Sequence, residues 1–235
     1  MVLGRAGSQH RCLVRAILAP RVAVREGPCG ELLPAATVAR YAHYVRGAVE
    51  SRVDEFVSGR MMAEAALSDL GAPTRGVGRD NQGRPEWPAG STGSITHTEG
   101  YCAAAVGDVS EICSLGIDVE LNRPLPVGLV DEVRSPGDRC PIEQLDSMGV
   151  SWSSLIFSAK ESVYKALNPL DGRWLEFHDV NVWISGSGVF RATPAHGEPA
   201  RTNGSDETTF GTVKGRWTAD ATHLATAVVI AAPLR

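Results

Sequence analysis

The order of elements in this 235-residue chain predicts an α+β fold made of two similar α/β halves. Three observations predict it. Helical spacing between residues 35 and 70 gives way to short apolar strands that run to residue 119. A helix followed by strands returns from residue 152 to residue 230. At 43% hydrophobic the chain can bury a full core, yet no apolar run approaches a membrane span. No sequence repeat is detectable, so the likeness of the halves lies in element order. They are expected to meet near residues 116–122, with an N-terminal half of 1–117 and a C-terminal half of 118–235.

Leu13, Ile17, Val22 and Val24 alternate loosely and suggest an early strand near Pro20. Leu33-Pro34 opens a helix expected over 35–49, because proline suits the first helical turn. A second helix is expected over 52–70 with Phe56, Met62, Ala66 and Leu67 or Leu70 inward, and Gly71 and Pro73 stop it. Residues 74–92, rich in glycine, proline and polar groups, read as a loop. Ile95, 101–106 and 112–119 read as strands separated by turns. Prolines 124, 126, 136 and 141 punctuate the next stretch and leave room for one short helix. A helix follows over 152–167, ending near Asn168-Pro169. Strands are then expected at 174–184, 188–193, 208–217 and 224–230, with a polar, mobile loop at 194–207.

Composition excludes several classes. The net charge is −4, which argues against a general nucleic-acid binder. Residues 1–90 carry 12 basic against 9 acidic groups and the remainder 11 against 18, so a mildly basic first part adjoins an acidic second part. That asymmetry suits an anionic ligand clamped to a metal site. The five cysteines, at 12, 29, 102, 113 and 140, form no CxxC pair, which supports neither a zinc site nor a disulfide framework. The apolar piece from Cys12 to Pro20 is broken by Arg15 and lacks a signal-peptide pattern, so a cytoplasmic protein is expected.

Two stretches carry chemistry. Gly116-Ile117-Asp118-Val119-Glu120 reads as a strand end whose two carboxylates share a face, because strand side chains alternate. Phe157 to Ala166 reads as a helix on which Glu161 and Lys165, four apart, share a face, with Lys160 roughly a quarter turn away. Only three lysines occur among the 23 basic residues, and two of them, Lys160 and Lys165, flank Glu161. Taken singly, Glu161 with Lys165 is an ordinary helical ion pair and Asp118/Glu120 a solvated strand end. Three carboxylates with two lysines are also the parts that hold a hard cation and a phosphate together. Elsewhere, Gly93 to His97 is a small-residue run that lets backbone N–H groups approach an anion, and His97 either donates to phosphate or is a satisfied core histidine. Arg52, Phe56 and Arg60 recur at helical spacing; the arginines either pair with Glu55 and Glu64 or reach a terminal phosphate.

In order, the pieces Arg52…Glu55-Phe56…Gly59-Arg60, Gly83-Arg84-Pro85-Glu86-Trp87-Pro88, Gly93-Ser94-Ile95-Thr96-His97, Gly116 to Glu120 and Phe157 to Ala166 resemble the 4′-phosphopantetheinyl transferase superfamily. The likeness is to its Sfp-type branch, nearest the enterobactin-synthase component D subgroup and its actinobacterial members, and covers about residues 13–231. Gly215-Arg216-Trp217 and 224–230 also resemble that subgroup.

The resemblance implies coenzyme A in a cleft between the two halves. It implies transfer of the phosphopantetheine arm to a serine of an apo acyl or peptidyl carrier protein, releasing adenosine 3′,5′-bisphosphate. Asp118, Glu120 and Glu161 would take magnesium, or manganese, with the pyrophosphate, and Asp118, Glu161 and Lys165 would be the catalytic group. Lys160 and Lys165 would hold phosphate oxygens. Arg52, Arg60 and His97 would contact the 3′-phosphate or the pyrophosphate. Thr96 stands where the family often has serine. Gln82 stands where relatives carry a lysine, with Arg79 and Arg84 nearby to take its place on the coenzyme. Either Glu161 or a metal-bound water would take the serine proton. Segment 121–150 is the expected lining of the carrier dock. A monomer is expected, active in polyketide, nonribosomal-peptide or fatty-acid carrier priming, with secondary metabolism favoured. The alternatives are a non-catalytic coenzyme A or carrier-binding module and a magnesium-dependent phosphate-ester hydrolase.

Overall fold

The computed structural model describes residues 12–30, 33–74, 76–195 and 210–233. Its first element corrects an expectation. Leu13–Ile17 is a helical turn, α1, and the strand β1 begins only at Ala23–Gly27. The reason lies in the next element: the Glu26 carboxylate of β1 accepts from the Val14 and Arg15 N–H groups at 2.8 and 3.1 Å, satisfying donors that a helix start leaves free. Helix α2 (Ala35–Tyr41) passes into a 3-10 turn at Ala42–Tyr44, so it stops short of residue 49. Helix α3 spans Glu50–Asp69 and buries Phe56, Val57, Ala63, Ala66 and Leu67, while Met62 and Leu70 are only partly covered.

The loop expected at 74–92 holds a small hairpin of β2 (Gly78–Arg79) and β3 (Pro85–Glu86). Asp80 organises its turn by accepting from the Gln82 and Arg84 N–H groups. Strands β4 (Ser91–Thr98) and β5 (Tyr101–Asp108) follow, and the first sheet is antiparallel in the order β1-β5-β4 with α3 across it.

Strand β6 (Ile112–Leu121) opens the second half. Two short helices, α4 (Val127–Val133) and the unexpected α5 (Ile142–Ser147), precede α6 (Trp152–Asp171). Ser151 caps α6 by accepting from the Ser154 N–H. The helix continues through Pro169 and ends only at Gly172, whose φ of 70° suits the left-handed terminus and whose N–H reaches the Asn168 carbonyl at 2.8 Å. After a 3-10 turn at Phe177–Asp179 come β7 (Val180–Ser185), β8 (Val189–Pro194), β9 (Val213–Ala219) and β10 (His223–Ala231). Two expected strands therefore start later, at Val180 and Val213. The polar segment expected at 194–207 lies, from residue 196, outside the described residues.

The second sheet is antiparallel in the order β6-β10-β9-β8-β7. Each half thus lays one 20-residue helix across an antiparallel sheet. The boundary expected between residues 117 and 118 falls inside β6, which pairs with β10 along its length. One core cluster joins the halves: Val22 and Val24 of the first pack with Leu115, Ile117, Val119 and Ala225 of the second. β6 would be an open edge strand at this junction. Instead the hydroxyls of Ser94 and Thr96 on β4 accept from the N–H groups of Ile117 and Val119, each at 3.1 Å.

Candidate active site

The site is built where α6 crosses β6. A methyl group at Gly116 would run into the Ser162 carbonyl oxygen and come within 2.6 Å of the Ala166 nitrogen, so only glycine lets the helix backbone lie this low on the strand. Asp118 and Glu120 continue the face that begins at Gly116. Glu161 and Lys165 come down to meet it from α6. Lys165 donates from Nζ to Asp118 Oδ1 at 2.7 Å, and the Thr96 hydroxyl approaches the same oxygen at 3.3 Å. Asp118 is 3% exposed, and its buried Oδ2 finds no hydrogen-bond partner among the described residues.

The charge balance here is uneven. Burial pushes the Glu120 carboxyl up to about 8, with the negative charges of Asp118 and Glu161 adding to it against Lys165. Burial also raises Glu161, opposed by Lys165 and reinforced by Asp118. For Lys165, burial favours the neutral amine, but Asp118, Glu161 and Glu120 together outweigh it and hold the ammonium above its ordinary range. Three carboxylates therefore face one lysine. Among the described residues no three His, Cys, Asp or Glu side chains form a ready-made metal cage.

Beside this cluster a cleft of about 680 Å³ opens between α3, the β2–β3 hairpin, β4 and the second half of α6. Arg52, Arg60, Arg79, Arg84, His97 and Lys165 line it. Arg52 pairs with Glu55 at 3.2 Å and Arg84 with Asp80 at 2.7 Å. Arg60 is different. It is 5% exposed, its guanidinium lies 4.5 Å from the centre of the Phe56 ring, and its Nε has no partner among the described residues. Among the described residues no carboxylate comes within ion-pair distance of it, the Glu64 pairing considered from sequence included, because Glu64 binds Arg40. Burial, with Arg79 and Arg52 adding like charge, pulls Arg60 down to about 10 despite the opposing influence of Tyr41 and Tyr44.

His97 is neutral by geometry. Arg52 can only donate, and its Nη1 lies 2.9 Å from His97 Nε2, so that nitrogen accepts and Nδ1 carries the proton. Nδ1 faces Glu55 Oε2 at 3.5 Å. Burial lowers the imidazole, with Arg52 and Lys165 adding and Glu55 and Asp118 opposing.

The structure thus brings together most of the residues singled out from sequence. Arg52, Arg60, Arg79, Arg84, His97 and Lys165 share the cleft, and Asp118, Glu120 and Glu161 adjoin it through Lys165. Two do not fit their expected roles. Thr96 is buried and its hydroxyl is engaged with the Val119 N–H and Asp118, so it ties the halves together rather than facing the cleft. Lys160 points away from the cleft into the second core, where its Nζ lies 2.9 Å from Asp138 Oδ2 and donates to the Val133 carbonyl oxygen and Ser135 Oγ at 2.8 Å. It cannot reach a phosphate there. Glu55 makes the pair with Arg52 that its spacing allowed and also faces His97, a contact the sequence did not suggest; Tyr164 and Asn168, which line the cleft one helical turn apart, were missed. Spacing on α6 offered the signal for the last two, since they lie three and seven residues after Glu161.

Two family models match the chain: the 4′-phosphopantetheinyl transferase N-terminal domain over residues 40–107, and the 4′-phosphopantetheinyl transferase superfamily over 114–221. Among curated proteins, the chain is 36% identical over 200 residues to the 4′-phosphopantetheinyl transferase Npt of Nocardia iowensis, covering 80% of this chain and 87% of that one. It is 38% identical over 199 residues to Svp of Streptomyces mobaraensis, covering 82% and 78%. To PptT of Mycobacterium tuberculosis it is 32% identical over 200 residues, covering 80% and 84%.

Proposed function

This chain belongs to the 4′-phosphopantetheinyl transferase superfamily, and on that premise we propose that the arginine cleft holds coenzyme A and the acid cluster beside it carries the transfer. The chain is a 4′-phosphopantetheinyl transferase: its substrates are coenzyme A and an apo carrier protein. The observation that carries the assignment of the site is Lys165, which lines the anion-binding cleft and also holds Asp118 at 2.7 Å.

Arg60 supports the placement of a phosphate. A buried guanidinium without a carboxylate asks for an anion from outside, and Arg52, Arg79 and Arg84 surround the same space. In our reading Arg60 and Arg52 take the 3′-phosphate or pyrophosphate, with neutral His97 held ready by Arg52 and Glu55. Arg79 and Arg84 act in place of the family's lysine at Gln82.

The residues present fit a divalent cation. Asp118 Oδ2 is an acceptor without a donor, and three carboxylates outnumber their one lysine. Oxygen donors that are few and incomplete suit magnesium or manganese, which keep waters and take substrate phosphates. Asp118, Glu120 and Glu161 would hold the ion, and it would neutralise charge on the pyrophosphate oxygens. Lys165 neutralises the same oxygens from the cleft side. Glu161, whose carboxyl burial raises above its ordinary range, accepts the proton of the attacking serine hydroxyl in this reading. The serine oxygen bonds to the pantetheine-side phosphorus as the bond to adenosine 3′,5′-bisphosphate breaks.

The carrier approaches, in this reading, over segment 121–150. Val127 on α4 is 83% exposed and Met148 is 50% exposed, which offers an apolar dock; the segment's three arginines are outnumbered by its five carboxylates, so the contact rests on these apolar side chains. A monomer is supported by the core cluster that joins both halves within one chain. No helix among the described residues is long and apolar enough to cross a membrane. We place the protein in the cytoplasm and in the priming of polyketide or peptide-synthetase carriers. The deciding experiment is intact-mass spectrometry of an apo carrier incubated with the protein, coenzyme A and magnesium, with and without chelator. Gain of one phosphopantetheine arm, abolished by chelator, supports the full reading. Coenzyme A binding without mass gain on any carrier class turns it toward a binding module, and release of adenosine bisphosphate without a carrier toward a hydrolase.

A further inference from the structure

We infer that Lys160 is a positioning residue: its buried pair with Asp138 sets the rotation and height of α6 and so places Glu161 and Lys165 against Asp118. The inference rests on the reading above, in which those three residues do the chemistry. Lys160 is 2% exposed. Its Nζ is surrounded by four oxygens, those of Asp138 at 2.9 Å, Val133 at 2.8 Å, Ser135 at 2.8 Å and Phe177 at 2.9 Å. Asp138 is equally well held, accepting from the Ser135 N–H at 2.8 Å and the Val182 N–H at 2.7 Å. The Ser135 hydroxyl also lies within reach of the Phe177 and Val180 carbonyl oxygens. One network therefore ties α6 to the end of α4, to the 3-10 turn before β7 and to β7 itself.

A network of this kind is a poor source of net stability. Taking an ammonium and a carboxylate out of water costs about as much as their attraction returns, and apolar side chains of the same volume often do as well. What it does is fix geometry, since every donor direction on Nζ is spoken for. Lys160 precedes Glu161 by one residue, about 100° around the helix, so pinning one sets the azimuth of the other. On its strand side α6 rests on Gly116, where any sliding or rolling meets backbone. The helix is thus registered from two sides, and the acid cluster lies between them. Displacing a reacting group by about 1 Å can cost about a hundredfold in rate.

The test compares Lys160→Met/Asp138→Asn, Lys160→Arg and Ser135→Ala with the unaltered protein and with Glu161→Gln, in one carrier-priming assay and one coenzyme A titration. The expected result for the double variant and for Lys160→Arg is a kcat lower by at least about thirtyfold, with a much smaller loss of coenzyme A affinity, about fivefold at most, because the cleft arginines stay in place and only the contacts from α6 shift. Ser135→Ala, which removes one acceptor and keeps the pair, is expected to lower kcat by about three- to tenfold. If the double variant does not fold, the other two carry the test. Unchanged kcat in folded variants shows a merely structural pair and overturns the inference. A rise in coenzyme A Kd that matches the loss in activity overturns it in favour of a phosphate contact. If Glu161→Gln keeps full activity, the reading of the site has failed instead, whatever the Lys160 variants do.

Discussion

Lys165 Nζ touches one oxygen of the Asp118 carboxylate at 2.7 Å and leaves the other buried without a donor. A half-satisfied carboxylate at the meeting of helix and strand is costly to bury, and such costs are tolerated where a ligand completes them. Asp118→Asn is expected to weaken divalent-cation binding, read by calorimetry, and to lower transfer by at least about a hundredfold. An asparagine variant with unchanged cation affinity would place the ion elsewhere.

Glu161→Gln is expected to abolish transfer while the protein stays folded. Burial already disfavours the Glu161 anion, so the neutral amide should unfold in urea at the same or a higher midpoint than the parent. Full activity in this variant removes Glu161 from the mechanism.

Arg60→Ala is expected to weaken coenzyme A by about tenfold or more, as for a lost charge-assisted contact. The loss should be smaller for 3′-dephospho-coenzyme A. Without ligand, the variant loses an unpaired buried cation, so its Tm should not drop as a packed core residue's would. Equal weakening of both ligands would assign Arg60 to the pyrophosphate.

Gly116→Ala drives a methyl into the backbone of α6 and is expected to destabilise by about 3 kcal/mol or more. Urea unfolding reads the stability, and the coenzyme A-dependent rate should fall further than stability alone explains. A neutral outcome would mean that α6 lifts off β6 at little cost.

His97 makes the protein sensitive to acid. Its folded-state value is depressed by burial, so below about pH 6.5, the ordinary histidine value, the unfolded chain binds the proton more readily. Stability from this group is present above that pH and is lost as the pH falls through the folded value. Protonation also removes the Nε2 acceptor of Arg52. Unfolding curves from pH 7.5 to 5 should therefore slope less in His97→Gln than in the parent; identical slopes would assign the acid sensitivity to other groups.

Much of this was legible in the chain. The helix carrying Glu161 and Lys165, and the strand carrying Asp118 and Glu120, show in their periodicity, and periodicity fixes which side chains share a face. Lys160 was misread because the fate of its face depends on Asp138, 22 residues away in a stretch where prolines obscure all pattern. Helix α1 was missed because its first-turn donors are satisfied by Glu26 from the next element, a contact no local signal contains. Pro169 looked like a terminus, yet Gly172 supplies the real one. That Arg60 is buried with no carboxylate among the described residues while Arg52 finds Glu55 follows only from packing, since the two read alike in sequence.

The two hydroxyls that bind the β6 edge have a consequence for kinetics. Ser94 and Thr96 rivet the floor of the cleft from one half to the other, and a shared core lies beneath. These bonds and that core resist relative motion of the halves at the seam. If the cleft is the coenzyme A site proposed above, the ligand meets a groove already shaped to receive it, and its association should follow a single exponential whose rate climbs linearly with ligand concentration, without the plateau that a slow opening step imposes.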